Sequence, residues 1–555
     1  MTTDDGAGAF DLTERPWIPV RRRDGTDDEL SLRQVFAQAH SGPDGVARLV
    51  GDLPTQEFAL LRLLLAVLHD ALDGPADIDD WHELWVEKTL PTERIDAYLH
   101  THRERFGLLH PRTPFFQVAD LYTAKKEHFS LDRIVADVPN GEPFFSMRAR
   151  GARRLGFAEA ARWLVHAHAF DPSGIKSGAV GDPDAKQGKG YPRGVGWAGN
   201  LGGVYVEGDD LRETLLLNLV AADFEPVRAD EGDRPAWRFP PGGPGMLTGT
   251  EAVSRPYGVR DLYTWQSRRV RLFADDEGVY GVLLCYGDPL DAANRQQREP
   301  MTGWRRSPAQ EKKRGKALIY LPHEHQPARS AWRGLESLLQ DQGDIQRGEA
   351  ARHLKPPIMD WVARLVNEDV LPQDHFIRAR SVGARYGTQQ SVIDEVTDDR
   401  VDMYVALLGE QSTRLRQAAI DAVSDADKAV HALGDLAAGL AEAAGIPADT
   451  PRNQAYDRAF GELDGLFRAW LRDLGPQADP EQRRRDWQVR VRATLVRIAR
   501  DLVLNAGEAA HTGRVVETPQ GDLWLSAGRA ERRFHRGLAK ALPLTVTTPT
   551  SKEHE

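Results

Sequence analysis

Apolar residues follow two spacings along this chain. Up to about residue 400 they come in short alternating or mixed runs broken by proline and glycine; beyond it they recur every three or four positions over long stretches. The first spacing predicts strands and short helices, the second amphipathic helices packed on one another. Residues 10–20 carry prolines at 16 and 19 and read as an edge strand, because proline cannot donate to a ladder. Residues 21–28 turn the chain back into a short helix at 30–36. Helices are predicted to open at Thr55 and Thr92, each with an acidic residue in its first turn. The apolar run 58–72 holds Arg62, His69 and Asp70, is too short to span a bilayer, and reads as a buried helix. Residues 211–220 read as another helix. Residues 263–272 alternate like a strand, with Thr264, Gln266, Arg268 and Val270 on one face and Trp265, Ser267, Arg269 and Arg271 on the other; 278–287 pairs with it. Helices are predicted at 401–409, 414–423, 460–471 and 487–500.

The fold class predicted is α+β: a large mixed α/β N-terminal domain over 11–396, then a C-terminal four-helix bundle over 397–545, with disordered ends at 1–10 and 546–555. A length of 555 residues exceeds what one core accommodates. The single cysteine, Cys285, excludes a disulfide within the chain and a cysteine-based zinc site, and fits a reducing cytoplasm. The N-terminus has neither a basic nor an apolar leader region, so no secretory signal is expected. The net charge of −11 confines any nucleic-acid binding to local basic patches.

The stretch 169–203 is too glycine-dense for a helix or an ordinary strand, and it carries Lys176, Lys186, Lys189 and Arg193. Its spacing fits neither a P-loop nor a dinucleotide fingerprint. Two readings stay open: a backbone that approaches nucleic acid closely, or a long surface loop whose glycines are only flexible. The run 294–316 is the densest basic region. Phe144 and Phe145 fall in a loop, where one could stack on a base and the other pack inward. The pairs His323/His325 and His166/His168 would each offer two metal ligands on a strand, but neither has a clear third. Cys285 lies in an apolar strand and reads as structural. No catalytic constellation emerges, and the rival function is a metal-dependent nuclease using His323 and His325.

Residues 11–20 with 30–36, Pro114-Phe-Phe-Gln117, Phe144-Phe-Ser146, Gly174-Ile-Lys-Ser-Gly178, the 211–220 helix, Trp265-Gln-Ser-Arg-Arg269, Trp304 and Arg385-Tyr-Gly-Thr-Gln-Gln-Ser391 occur in an order that resembles the CasA family, the large subunit of the type I-E CRISPR Cascade surveillance complex. The resemblance implies a non-catalytic subunit without metal or cofactor. Its partners would be other Cascade subunits, guide RNA, target double-stranded DNA and an effector nuclease-helicase, with no membrane. It implies recognition of the protospacer-adjacent motif by a glycine loop at Asp171-Pro-Ser-Gly174, placing Ser173, Gly174 and Lys176 at the DNA. Gln389 and Gln390 would wedge the duplex open, with Gly387 allowing a tight turn. Arg295 stands in for the family's minor-groove lysine, and Phe144 and Phe145 for the loop that anchors the subunit near the guide. Arg483–Arg492 or Arg529–Arg536 would meet the displaced strand. A pure scaffold without DNA contact is the third possibility.

Overall fold

A computed structural model describes residues 10–136, 152–340, 350–518 and 521–545. Apart from Phe10, the predicted disordered ends lie outside these residues, as do Phe144 and Phe145. The chain divides into two compact units, one built from 1–329, 340–365 and 377–400, the other from 330–339, 366–376 and 401–555. No described helix is long and apolar enough to cross a membrane.

In the first unit the predicted hairpin forms from Ile18–Arg22 and Asp27–Leu30, followed by the helix Leu32–Ala37. Ser31 caps that helix and Gln34 returns the bond, closing a capping box. The first strand is not an edge strand, however. Val46–Leu49 pairs on its other side, so it is the centre of three. Pro19 is tolerated because it lies where that ladder ends, and its carbonyl accepts from the Val50 N–H at 3.1 Å.

The helix Pro54–Leu72 runs through the core with nearly every residue buried, as its apolar run predicts. It packs against the helices Phe157–Phe170 and Val259–Tyr263. Arg62 inside it is neutralised by the fully buried Glu299 at 2.8 Å, which makes a charge tolerable there.

The strand predicted at 263–272 begins only at Arg268 and runs to Asp275, because Tyr263 ends a helix and Thr264 returns its hydroxyl to the Arg260 carbonyl. It pairs antiparallel with Gly278–Tyr286, as predicted. The helix predicted at 211–220 stops at Leu217. A second three-stranded sheet joins Gly202–Glu207, Phe376–Tyr386 and Ile393–Tyr404, with Phe376–Tyr386 in the middle. Its last strand takes in Val401–Tyr404, so the helix predicted at 401–409 is wrong; only the 3-10 turn Val405–Leu407 follows. That run is apolar enough for either structure, and pairing with the preceding strand, Phe376–Tyr386, decides between them.

In the second unit four long helices, Thr413–Ala444, Asp449–Arg472, Pro480–Leu504 and Ala527–Ala541, form the bundle, the first packing on each of the other three. Trp332, Phe467, Trp470 and Trp487 pack together at its centre, Trp332 and Phe467 stacked with ring centroids 4.4 Å apart and the other rings tilted or edge-on. Each buried indole N–H finds an acceptor: Asp464, the Arg483 carbonyl and the Ala422 carbonyl. Large aromatic area is therefore buried without an orphaned donor.

Candidate nucleic-acid interface

The glycine-rich stretch is pinned at its base. Asp171 follows the Phe157–Phe170 helix, and its carboxylate is held by Arg268 and by the Lys176 ammonium, the latter at 2.7 Å. Arg268 also donates to the carbonyls of Asp171 at 2.9 Å, Pro172 at 3.3 Å and Gly194 at 3.0 Å. One planar guanidinium thus fixes both limbs of the stretch, as its fork of donors allows. Its cation lies 4.9 Å from the centre of the Tyr286 ring, whose hydroxyl donates to the Gly174 carbonyl at 2.6 Å. Gly174 itself has φ +121 and open space where a side chain would project, so its backbone can approach a ligand closely.

Of the predicted contact residues in this stretch, Ser173 is buried and Lys176 nearly so. Burial lowers the Lys176 ammonium below the usual lysine value, with Asp171 opposing, and it donates to the Pro172 carbonyl at 3.0 Å. Lys176 therefore ties the loop to itself. The cations the loop presents outward are Lys186 and Lys189, exposed and facing each other across a hairpin tip in which Gln187 and Gly188 have φ +53 and +71. Like charges opposed in this way repel unless an anion lies between them. Neither lysine has an acidic partner among the described residues. Ile175, 62% exposed, and Tyr191, 50% exposed, put an apolar edge on the same surface. Sequence reasoning missed both; the cue available was a large apolar residue set inside a glycine-rich run.

Gln389 and Gln390 occupy the turn between Phe376–Tyr386 and Ile393–Tyr404, exposed, each with φ +56. Two consecutive non-glycine residues in the left-handed region are strained, and such strain concentrates at functional turns. Gly387 opens the tight turn, its carbonyl accepting from the Gln390 N–H at 2.9 Å, but it is not left-handed. Its φ is −73, and a Cβ there would meet the end of the Asp394 side chain at 2.6 Å, which has to turn aside to admit one. The turn meets the glycine loop directly: the Ser173 N–H donates to the Gln390 carbonyl at 2.8 Å. Beside it the Tyr386 hydroxyl donates to the Phe170 carbonyl at 2.7 Å, and Gly199 leaves room for that ring. Deeper in the hairpin, Arg380 binds Glu57 at 2.6 Å, Glu207 at 3.1 Å and Asp398 at 2.7 Å.

Arg295 is half-buried, and its Nε donates to the Asp291 carbonyl at 3.3 Å; none of these contacts brings it to the Ser173–Gln390 junction. The histidine pairs do not form ligand sets. His166 and His168 lie on a helix rather than a strand, which turns them apart. The first bonds Thr55 at 2.9 Å and the second the Phe116 carbonyl at 2.9 Å. His325 donates to the Gly203 carbonyl at 2.8 Å, and the His323 ring lies 5.3 Å from that of His353, tilted against it, with burial lowering the His323 pKa to about 4. Among the described residues no three His, Cys, Asp or Glu side chains gather as a metal site. Cys285 is buried and its thiol pushed up to about 12 by burial, so it is no nucleophile.

In the bundle, Arg484 is spent on Asp421 at 2.5 Å and Asp425 at 2.8 Å. Arg485 and Arg490 on the same helix are exposed, and the last helix exposes Arg529, Arg532, Arg533, Arg536 and Lys540 at spacings of three and four, one continuous face. On the last helix only Arg533 of these contacts an acid among the described residues, Asp435 at 3.3 Å.

The model of a protein family described as CRISPR-associated protein Cse1 matches residues 11–498. The crystal structure of Thermobifida fusca Cse1 superposes with a TM-score of 0.91 at 60% identity, covering 98% of this chain and 100% of that one. The corresponding figures for Cse1 from Acidimicrobium ferrooxidans are 0.82, 32%, 97% and 99%. A CRISPR-associated protein CasA/Cse1 of Thermus thermophilus is 32% identical over 342 residues, 60% of this chain and 61% of the relative. The chain therefore matches about three fifths of the length of that curated relative.

Proposed function

Because the chain belongs to the CRISPR-associated protein Cse1 family, we propose that it is the non-catalytic subunit of a Cascade surveillance complex that recognises the motif flanking a DNA target and starts to open the duplex. The observation that carries this reading is the bond from the Ser173 N–H to the Gln390 carbonyl, which puts the loop suited to close backbone approach beside an exposed, strained amide turn. Gly174 and Ser173 would meet base edges in the minor groove, where the readable difference is mainly the guanine amino group. Lys186 and Lys189 would hold phosphates, and Lys176 would keep the loop in shape. Gln389 and Gln390 would stand against the first base pair, and Arg295 would serve as the groove cation from its half-buried position.

Guide pairing would then test the sequence, a near-balanced exchange in which a wedge worth one stacking step, about 1.4 kcal/mol, is decisive. The basic face of the last bundle helix would carry the displaced strand, and the assembled surface would recruit the nuclease-helicase. The metal-dependent nuclease reading has no support in the environments of His323 and His325.

The test is a surveillance complex reconstituted with and without the chain, presented with guide-matched duplexes that differ only in the flanking base pairs. Binding and strand opening that require the chain and vary with the flank are expected. Opening indifferent to both would leave only a scaffold.

A further inference from the structure

Residues 388–391 have little holding them. Their hydrogen bonds stay inside the hairpin, as Gly387 N–H to Val392, Gln390 N–H to Gly387 and the Ser391 hydroxyl to Thr388, with one exception among the described residues: the Ser173 N–H donating to Gln390. Beyond the hairpin strands themselves, Ser173 is therefore the described point at which the rest of the unit holds this turn. Ser173 is itself set from below. Two residues before it, Asp171 binds Arg268 and Lys176; one residue after it, the Gly174 carbonyl receives the Tyr286 hydroxyl. Arg268 is 2% exposed in its side chain and reaches the carbonyls of residues 171, 172 and 194 besides the carboxylate. On the hairpin side, Tyr386 grips the carbonyl of Phe170, the residue adjoining Asp171.

We infer that Arg268, through Asp171, is a positioning residue that couples the flank-contacting loop to the strand-opening turn, so that engagement of the loop by DNA is transmitted to Gln389 and Gln390. The inference rests on the reading of these two elements as reader and wedge. A guanidinium that fixes both limbs makes the loop move as one body, and the Ser173–Gln390 bond makes the turn move with it. Without Arg268 the Asp171 carboxylate keeps, among the described residues, Lys176 alone, the carbonyls at 171, 172 and 194 lose a shared donor, and the loop can yield to DNA without displacing the turn. Arg268 touches no DNA in this scheme; Tyr386 acts from the opposite side of the same junction.

The experiment uses the assembled surveillance complex and a guide-matched duplex with a fluorescent base analogue at the first target positions. It compares the unaltered chain, Arg268→Ala, Tyr386→Phe, the pair Gln389→Ala with Gln390→Ala, and Arg268→Ala combined with that pair. Binding to the intact duplex and to one already unpaired beside the flank is measured in parallel. Arg268→Ala is expected to slow opening about five- to tenfold. Binding to the pre-opened duplex should stay within about twofold, and the substitution should add nothing once both glutamines are alanine. Tyr386→Phe removes a single hydroxyl and should slow opening in the same direction even if Arg268→Ala compromises folding. Effects that multiply in the combined variant, or equal loss on intact and pre-opened duplexes for both single variants, would overturn the coupling while leaving reader and wedge standing. If the glutamine pair alone leaves opening unchanged, the wedge reading fails first and takes the coupling with it.

Discussion

The Ser173 N–H and the Gln390 carbonyl lie 2.8 Å apart, a backbone bond between a glycine-rich loop and a hairpin turn far away in the chain. Both partners are main-chain groups, so the contact depends on where the two backbones are held. Its upkeep falls to Arg268, Tyr286 and Tyr386 around it.

The strain at the turn separates stability from function. Left-handed backbone costs a non-glycine residue roughly 1–2 kcal/mol, against roughly 0.5–1 kcal/mol of extra chain entropy for glycine. Gln389→Gly and Gln390→Gly should therefore leave the urea midpoint of the chain unchanged or raised. The same substitutions should lower the rate of duplex opening about tenfold, as expected if one stacking step is no longer replaced. A lowered midpoint would show that the side chains hold the turn together.

Gly199→Ala would drive a methyl into the Tyr386 hydroxyl, which it would approach to 2.2 Å. The ring must move and release the Phe170 carbonyl. A loss of about 1–3 kcal/mol in chemical denaturation is expected. In the background of Tyr386→Phe the loss should shrink, since the bond is already absent.

Arg380 is bonded to both buried carboxylates, Glu57 and Glu207, with Arg48 acting on Glu57 from farther away. Arg380→Met leaves both without it and should cost about 3–5 kcal/mol, read as a drop in the urea midpoint. Adding Glu57→Gln and Glu207→Gln should recover much of that loss.

Burial holds His69 at about 3, His166 at about 3 and His168 at about 4. An unfolded histidine titrates near about 6.5, so between that value and about 3–4 the unfolded chain binds protons the folded chain refuses. Stability is then complete above about pH 6.5 and falls on acidification, by at most about 1.4 kcal/mol per histidine per pH unit. The urea midpoint should hold from about pH 8 to 7 and decline toward pH 5. A flat midpoint down to about pH 5 would contradict the neutral, buried state of these rings.

The basic face of the last helix can be read through salt. Each phosphate contact to a single strand contributes about 0.7 to the slope of log affinity against log salt. Substituting Arg529, Arg532 and Arg536 by alanine should weaken binding of a labelled single-stranded oligonucleotide and reduce that slope by about 2, in fluorescence anisotropy on the full chain. An unchanged slope would remove this face from the polynucleotide path.

Much of the framework was legible in the residues alone. The 58–72 run announced a buried helix, and the three-and-four spacing beyond about residue 400 announced the bundle, because helix formation and its apolar face are encoded within a few turns. The strand pair Arg268–Asp275 and Gly278–Tyr286 was also visible, since its partners adjoin in sequence. Its true start was not: Tyr263 and Thr264 alternate correctly yet close a helix. Residues 401–404 failed for the same reason in reverse: their apolar spacing suits a helix, yet they continue the hairpin strand Ile393–Tyr404 that pairs with Phe376–Tyr386.

The predicted contact residues divide along that line. Composition and spacing alone determined that a lysine-bearing glycine run and an amide pair exist, and that one cysteine permits no disulfide within the chain. Tertiary structure alone decided that the loop and the turn touch, that Lys176 is bound to Asp171 while Lys186 and Lys189 face outward, and that His166 and His168 point to different partners. Periodicity records which face of an element is apolar, whereas the partner of a buried charge or a backbone amide is set by whichever distant segment packing brings within about 3 Å.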